Sequence, residues 1–202
     1  MLTHERLRND PRLRYFCAAV PSSHGNHSVA NDCIDEWYDK TCLICGTKED
    51  VSRAHLVVGV VSEDYDYHEF NPPKYKTTLD PKSASNFIPL CGNKGKNGTC
   101  HDAFDKFRLT IVHNILLDTY TCICFDGNTT FNGKLLTVHK KHKPYKRLLA
   151  WHARYCLGQN PVYVMNNGGI KSVENLLNII DASEDMESMG GDIPSSSSST
   201  TV

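Results

Sequence analysis

Two pairs of cysteines far apart in the chain limit the folds open to it. Cys42 and Cys45 form a Cys-x-x-Cys knuckle that ends in Gly46, and Cys91 and Cys100 form a second pair with eight residues between its members. Structural zinc takes four thiolates in a tetrahedron, usually delivered as two close pairs, so a fold that uses this set must bring positions 42–45 and 91–100 together. The long second spacing, Gly92 to Thr99, contains three glycines that let both sulfurs converge and two lysines that can meet a phosphate. Cys33, His24 or His27 could stand in for one ligand.

The remaining cysteines fit the same picture. There are nine in all, an odd number, and the N-terminus Met1 to Arg6 lacks the apolar core of a secretory signal. Metal binding plus buried thiols is therefore expected over a disulfide framework. No apolar run approaches the roughly 18 residues that a bilayer span needs. The expectation is a soluble protein without membrane association, intracellular, in the cytoplasm or nucleus.

At 202 residues the chain has room for one domain with a core, plus appendages. The formal net charge of −1 hides an uneven distribution. All 22 Lys and Arg lie at or before position 171, and residues 1–173 hold 17 of the 23 acids. From Gly127 to Val173 there is no acid, while Lys134, Lys140, Lys141, Lys143, Lys146, Arg147, Arg154 and Lys171 are all basic. This run implies a phosphate-bearing partner, with a solvated basic face as the plainer reading.

Periodicity divides the chain into an N-terminal helical segment (1–40), a core (41–109), a strand and helix extension (110–182) and a disordered tail (183–202). One N-terminal helix carries Arg6, Arg8, Arg12 and Arg14 around Pro11; a second starts at Ser28 and buries Val29, Cys33, Ile34, Trp37 and Tyr38. The apolar run Leu56 to Val61 reads as a buried strand starting at His55, followed by a long loop over 62–85. Strands are expected near Thr110–Leu117, Thr119–Phe125 and Lys134–His139, with a turn at Asp126-Gly127. Helices are expected from Pro144 through Cys156 and around Ser172–Asp181. Cys122 and Cys124 fall on one face of a strand and belong to the core, and His139, His142 and His152 read as solvent or packing histidines.

His101 and Asp105 are four residues apart, so on a helix they project from one face and make a small cation-binding surface with open coordination positions. Imidazole, carboxylate and water suit magnesium, manganese or a similar ion. Phosphodiester hydrolysis needs such a cation together with a base for water. Arg53 lies two residues before His55, where it either neutralises a phosphate or is a surface charge.

Cys42-x-x-Cys45, Ala54-His55-Leu56, Asn86-x-x-Pro89-Leu90-Cys91 and Cys100-His101-x-x-Phe104-Asp105, taken in order, resemble the HNH endonuclease family. The likeness is to the subgroup whose first histidine follows alanine and whose motif ends in His-x-x-Phe-Asp. It covers Cys42 to Arg108, about a third of the chain. The resemblance implies an α+β chain with a ββα-metal core and a structural zinc knuckle, N-terminal helices, and a C-terminal β-hairpin plus helices. It implies His55 as general base, Asn86 as the residue that orients the base or helps the metal, and His101 as a metal ligand. Ala54 stands where many relatives place an aspartate or histidine ligand, so coordination would fall on His101 and Asp105, with Asn86 possible.

The expected function is a metal-dependent endonuclease that hydrolyses DNA, with RNA not excluded, using one divalent cation (Mg2+ or Mn2+) and a structural Zn2+. Its rival is a zinc-stabilised nucleic-acid-binding module without catalytic activity. A zinc-ribbon domain that binds protein is the third reading.

Overall fold

The computed structural model describes residues 28–56, 83–92, 98–125, 130–160 and 174–183. The arginine-bearing N-terminal segment, the 62–82 stretch, the Asp126-Gly127 turn and the tail beyond 183 lie outside the described residues.

The first described element is helix α1, Ser28–Tyr38. Ile34, Trp37 and Tyr38 recur at helical spacing; Ile34 packs on Phe87, and Trp37 and Tyr38 close over that contact. Asp39 and Lys40 end the helix in left-handed backbone, with φ of 48° and 49°.

The knuckle follows and leads into strand β1, Val51–His55, which pairs antiparallel with β2, Phe87–Cys91. The register sets Ser52 opposite Leu90, Arg53 opposite Pro89, Ala54 opposite Ile88 and His55 opposite Phe87. Facing residues share one side of a ribbon, so Ser52, Ala54, Ile88 and Leu90 form one face and Arg53, His55, Phe87 and Pro89 the other. Pro89 has no N–H for the ladder, which a two-stranded ribbon tolerates. Its carbonyl accepts the Leu43 N–H at 2.9 Å and ties the knuckle to the ribbon.

His55 therefore ends a strand, whereas the apolar run after it had suggested that it starts one. The ladder partner decides this, because among the described residues β2 pairs with 51–55. Residues 57–61, the rest of that run, lie outside the described set.

Helix α2, Cys100–Asp105, packs against both strands of the ribbon. Thr99 caps it through its hydroxyl, which accepts the Asp102 N–H at 3.3 Å. Asp102 is buried in the first turn and pairs with Arg108 and with Lys106 at 2.8 Å. The Lys106 contact, then the charges of Lys106 and Arg108, hold its carboxyl below the usual range against the cost of burial.

A second sheet holds β3 (Leu109–Asn114), β4 (Thr119–Cys124) and the short β5 (Leu135–Leu136) in that order, all antiparallel. The chain is thus mixed α+β with small antiparallel sheets. Helix α3, Lys146–Gln159, packs on β3 and is buried nearly all round. Leu148, Leu149 and Trp151 join a cluster that includes Cys42, Ala54, Leu90 and Phe104. Ala150, Ala153, Cys156 and Leu157 join a second cluster with Leu177 and Ile180 of the last helix, α4 (174–183). Cys122 and Cys124 are buried with their sulfurs 3.9 Å apart, as core residues of β4.

Two buried histidines tie these parts together as neutral rings. His152 stacks on Phe104 with centroids 3.7 Å apart, donates from Nε2 to the Phe104 carbonyl (3.2 Å) and accepts from the Thr110 hydroxyl at Nδ1 (2.9 Å). His142 donates from Nε2 to the Ala84 carbonyl (3.2 Å) and accepts from Tyr38 at Nδ1 (2.7 Å). Burial pushes His152 down to about 3 and His142 down to about 4. His139 lies half-buried against Trp37, with ring centroids 6.0 Å apart. All three are packing residues.

The shifts fix the sign of a pH effect. The unfolded chain protonates these rings below about 6.5 while the folded chain resists, so stability is full above that pH and declines as pH falls toward 4. Each ring contributes a slope of about 1.4 kcal/mol per pH unit in that window. Thermal midpoints should fall between pH 6.5 and 4.5 while the imidazole resonances of His142 and His152 keep neutral-ring shifts. Charged-ring shifts in the folded protein at pH 5.5 would contradict this.

Candidate metal centre and histidine site

The four cysteines meet. The sulfur atoms of Cys42, Cys45, Cys91 and Cys100 all lie within 4.8 Å of one another, and those of Cys45 and Cys91 are 3.6 Å apart. Zinc–sulfur bonds of about 2.3 Å in a tetrahedron put sulfurs about 3.8 Å apart, so the donor set fits zinc. Local backbone makes this possible. Gly46, with φ of +80°, returns the knuckle so that its N–H reaches the Cys42 carbonyl at 3.0 Å, and the Cys42 N–H reaches Thr47 at 2.8 Å. The long Cys91–Cys100 spacing is no obstacle, for the Cys100 N–H points at the Cys91 sulfur at 3.5 Å.

The thiols are electrically crowded. Hydrogen bonding from Cys100 draws Cys42 down to about 4, and the same pairing, with burial and the Cys42 charge behind it, pushes Cys100 up. Burial pushes Cys45 up to about 11. A divalent cation at the centre would favour all four thiolates together. Four thiolates around Zn2+ would leave a net charge of −2, and Lys134 donates to the carbonyl of Ile44, within the knuckle between Cys42 and Cys45.

His101, the residue after Cys100, is buried, with Nδ1 3.1 Å from the Gly92 carbonyl and 2.6 Å from the Ser52 hydroxyl. Its Nε2 lies 3.5 Å from Oδ2 of Asp105, one turn along α2. A neutral ring that donates from Nδ1 carries a lone pair on Nε2, and in that form the pair presents one nitrogen and one oxygen ligand side by side. Among the described residues the four cysteines are the group in which three or more His, Cys, Asp or Glu ligand atoms converge; His101 and Asp105 supply two.

His55 ends β1 on the opposite face of the ribbon from Ser52, with its ring 4.6 Å from that of Phe87. Asn86 is fully buried in the turn Ala84–Asn86, and its carbonyl accepts the Leu56 N–H at 2.8 Å. Backbone pairing thus brings His55 and Asn86 to the same end of the ribbon. Ala54 is fully buried in the core on the α2-facing side, so its position faces the helix while donating nothing. Arg53 is engaged with Asp35 of α1 at 3.5 Å, each about a third exposed.

The basic extension is less uniform than its sequence. Lys140, Lys141 and Lys143 are exposed, whereas Arg147 and Arg154 are buried, and Arg154 pairs with Asp181 of α4 at 2.7 Å. Sequence reasoning had passed over Ser52 and Gly92, both at His101. Their signals are faint: a small polar residue alternating with Ala54, and a glycine directly after a cysteine. Gly92 has φ of +91°, and a Cβ there would overlap the Thr99 side chain, so only glycine fits.

No protein-family model, no curated protein and no solved structure matches the chain. Among the described residues no helix is long and apolar enough to cross a membrane.

Proposed function

We propose that this chain is a metal-dependent endonuclease of the HNH type, with a ββα-metal core, acting on DNA and stabilised by zinc on Cys42, Cys45, Cys91 and Cys100. The observation that carries the reading is the His101–Asp105 pair, whose ligand atoms lie 3.5 Å apart on a helix that follows and packs on an antiparallel ribbon. The remaining motifs of the resemblance, Ala54-His55-Leu56 and Asn86-x-x-Pro89-Leu90-Cys91, point the same way.

His101 and Asp105 would hold a Mg2+ or Mn2+ ion, with Asn86 a further candidate. That ion, when bound, supplies charge stabilisation at the phosphate and the leaving oxygen. As the resemblance implies, His55 is the residue to take a proton from the attacking water, which must approach around the ribbon end that Asn86 supports, because the His55 side chain leaves the ribbon on the face opposite Ser52. Lys140, Lys141 and Lys143 neutralise backbone phosphates without reading bases.

The test is cleavage of supercoiled plasmid by the full chain at low salt. Nicked and linear forms should accumulate with Mn2+ or Mg2+ and cease when those ions are chelated. Salt-sensitive DNA binding without turnover under any divalent ion would instead establish the binding-module reading, which the alanine at position 54 favours.

A further inference from the structure

Ser52 lies in β1 across from Leu90, on the face that α2 covers. Its hydroxyl donates to the Gly92 carbonyl and lies 2.6 Å from Nδ1 of His101, while the same carbonyl lies 3.1 Å from that nitrogen. A hydroxyl has one hydrogen and two lone pairs, and a carbonyl has lone pairs only. With its hydrogen committed to Gly92, Ser52 can only accept from His101. Both polar neighbours of Nδ1 therefore require a proton on it.

We propose that Ser52, acting with the Gly92 carbonyl, is a positioning residue that holds His101 in its Nδ1–H tautomer and aims Nε2 toward Asp105. For the cation that Nε2 would meet, the inference rests on the nuclease reading. For the tautomer itself it rests on hydrogen-bond geometry alone.

The arrangement also couples the two metal-type clusters. Gly92 follows Cys91 and His101 follows Cys100, so the acceptor and the donor each hang on one sulfur of the four-cysteine group. The Gly92 N–H is in turn held by the Asp50 carbonyl at 2.6 Å, which anchors the acceptor to the start of β1. Outer partners of this kind set ring orientation and ligand basicity in metal sites, and their loss commonly weakens metal binding 10- to 100-fold.

The experiment uses the zinc-loaded full chain with Ser52→Ala, and the similarly shaped pair Ser52→Thr and Ser52→Val in case alanine disturbs packing. Two readouts are taken: the imidazole 15N shifts of His101 without added manganese, and the Mn2+ dissociation constant from the paramagnetic resonance of free Mn2+. Wild type and Ser52→Thr should show a single Nδ1–H tautomer and affinities within about twofold of each other. Ser52→Ala and Ser52→Val should show mixed tautomers and bind Mn2+ about tenfold more weakly. An Nε2–H ring in the wild type, or unchanged tautomer and affinity in the hydroxyl-free variants, overturns the proposal. A Ser52-dependent tautomer in a protein that binds no Mn2+ supports the positioning role and removes the nuclease reading instead.

Discussion

His55→Ala is expected to slow plasmid cleavage by about 100- to 10,000-fold, the usual contribution of a positioned general base, while leaving the zinc content and fold intact. Both halves follow from where the residue sits. Its backbone closes the β1–β2 ladder opposite Phe87, and alanine keeps that pairing. Its side chain is half-buried on the face away from α2, while the neighbouring core positions Ala54 and Leu56 are untouched. The stability cost should stay near ~1 kcal/mol, typical of a substitution that opens no core cavity. Initial rates of nicking with Mn2+, measured beside zinc content and thermal midpoint, separate lost chemistry from lost structure. Activity undiminished in the variant would remove His55 from its role, whatever else cleaves the DNA.

Those parts of the molecule whose chemistry demands particular residues at particular spacings were readable in advance. Four thiolates must converge to hold one ion, so Cys42, Cys45, Cys91 and Cys100 announce themselves even across a long loop. The i, i+4 relation of His101 and Asp105 survives translation into a helix because helical geometry is local. The position of His55 within its strand was harder to read. Residues 57–61 of the apolar run lie outside the described residues, while the described ladder forms on Val51 to His55, mostly half-buried positions whose pairing is decided by the distant partner Phe87–Cys91. Ser52 and Gly92 were hidden for a related reason. A serine in a strand and a glycine in a loop carry no signature, and both matter only because tertiary structure brings a carbonyl, a hydroxyl and an imidazole together. The basic run from 127 to 173 shows the opposite error. It reads as one surface, but burial and the Asp181 pair take Arg147 and Arg154 out of it.

Cys42→Ser should have the largest effect of any single substitution, abolishing zinc retention and the cooperative folding of the region that depends on it. Cys42 is only 2 % exposed, lies in the central cluster, and its thiol is the one drawn down by its neighbours. Structural zinc contributes about 10–16 kcal/mol in zinc-finger peptides, against the roughly 5–15 kcal/mol that separates an ordinary folded domain from its unfolded chain. Losing the ion therefore removes a free energy of the same size as the whole net stability of an ordinary domain. Cys122→Ala is the control: it removes an equally buried thiol outside the four-sulfur group, so it should keep one zinc per chain and lose only the ~1–3 kcal/mol of an ordinary core change. Metal stoichiometry and thermal unfolding read both variants. Because Gly92 and His101 each follow a ligand cysteine, cleavage should vanish with the zinc in Cys42→Ser, together with the fold. In His55→Ala cleavage should slow by about 100- to 10,000-fold while zinc and fold remain, so the two variants divide structural from chemical loss. A Cys42→Ser protein that still held zinc at wild-type stability would show that another side chain completes the tetrahedron.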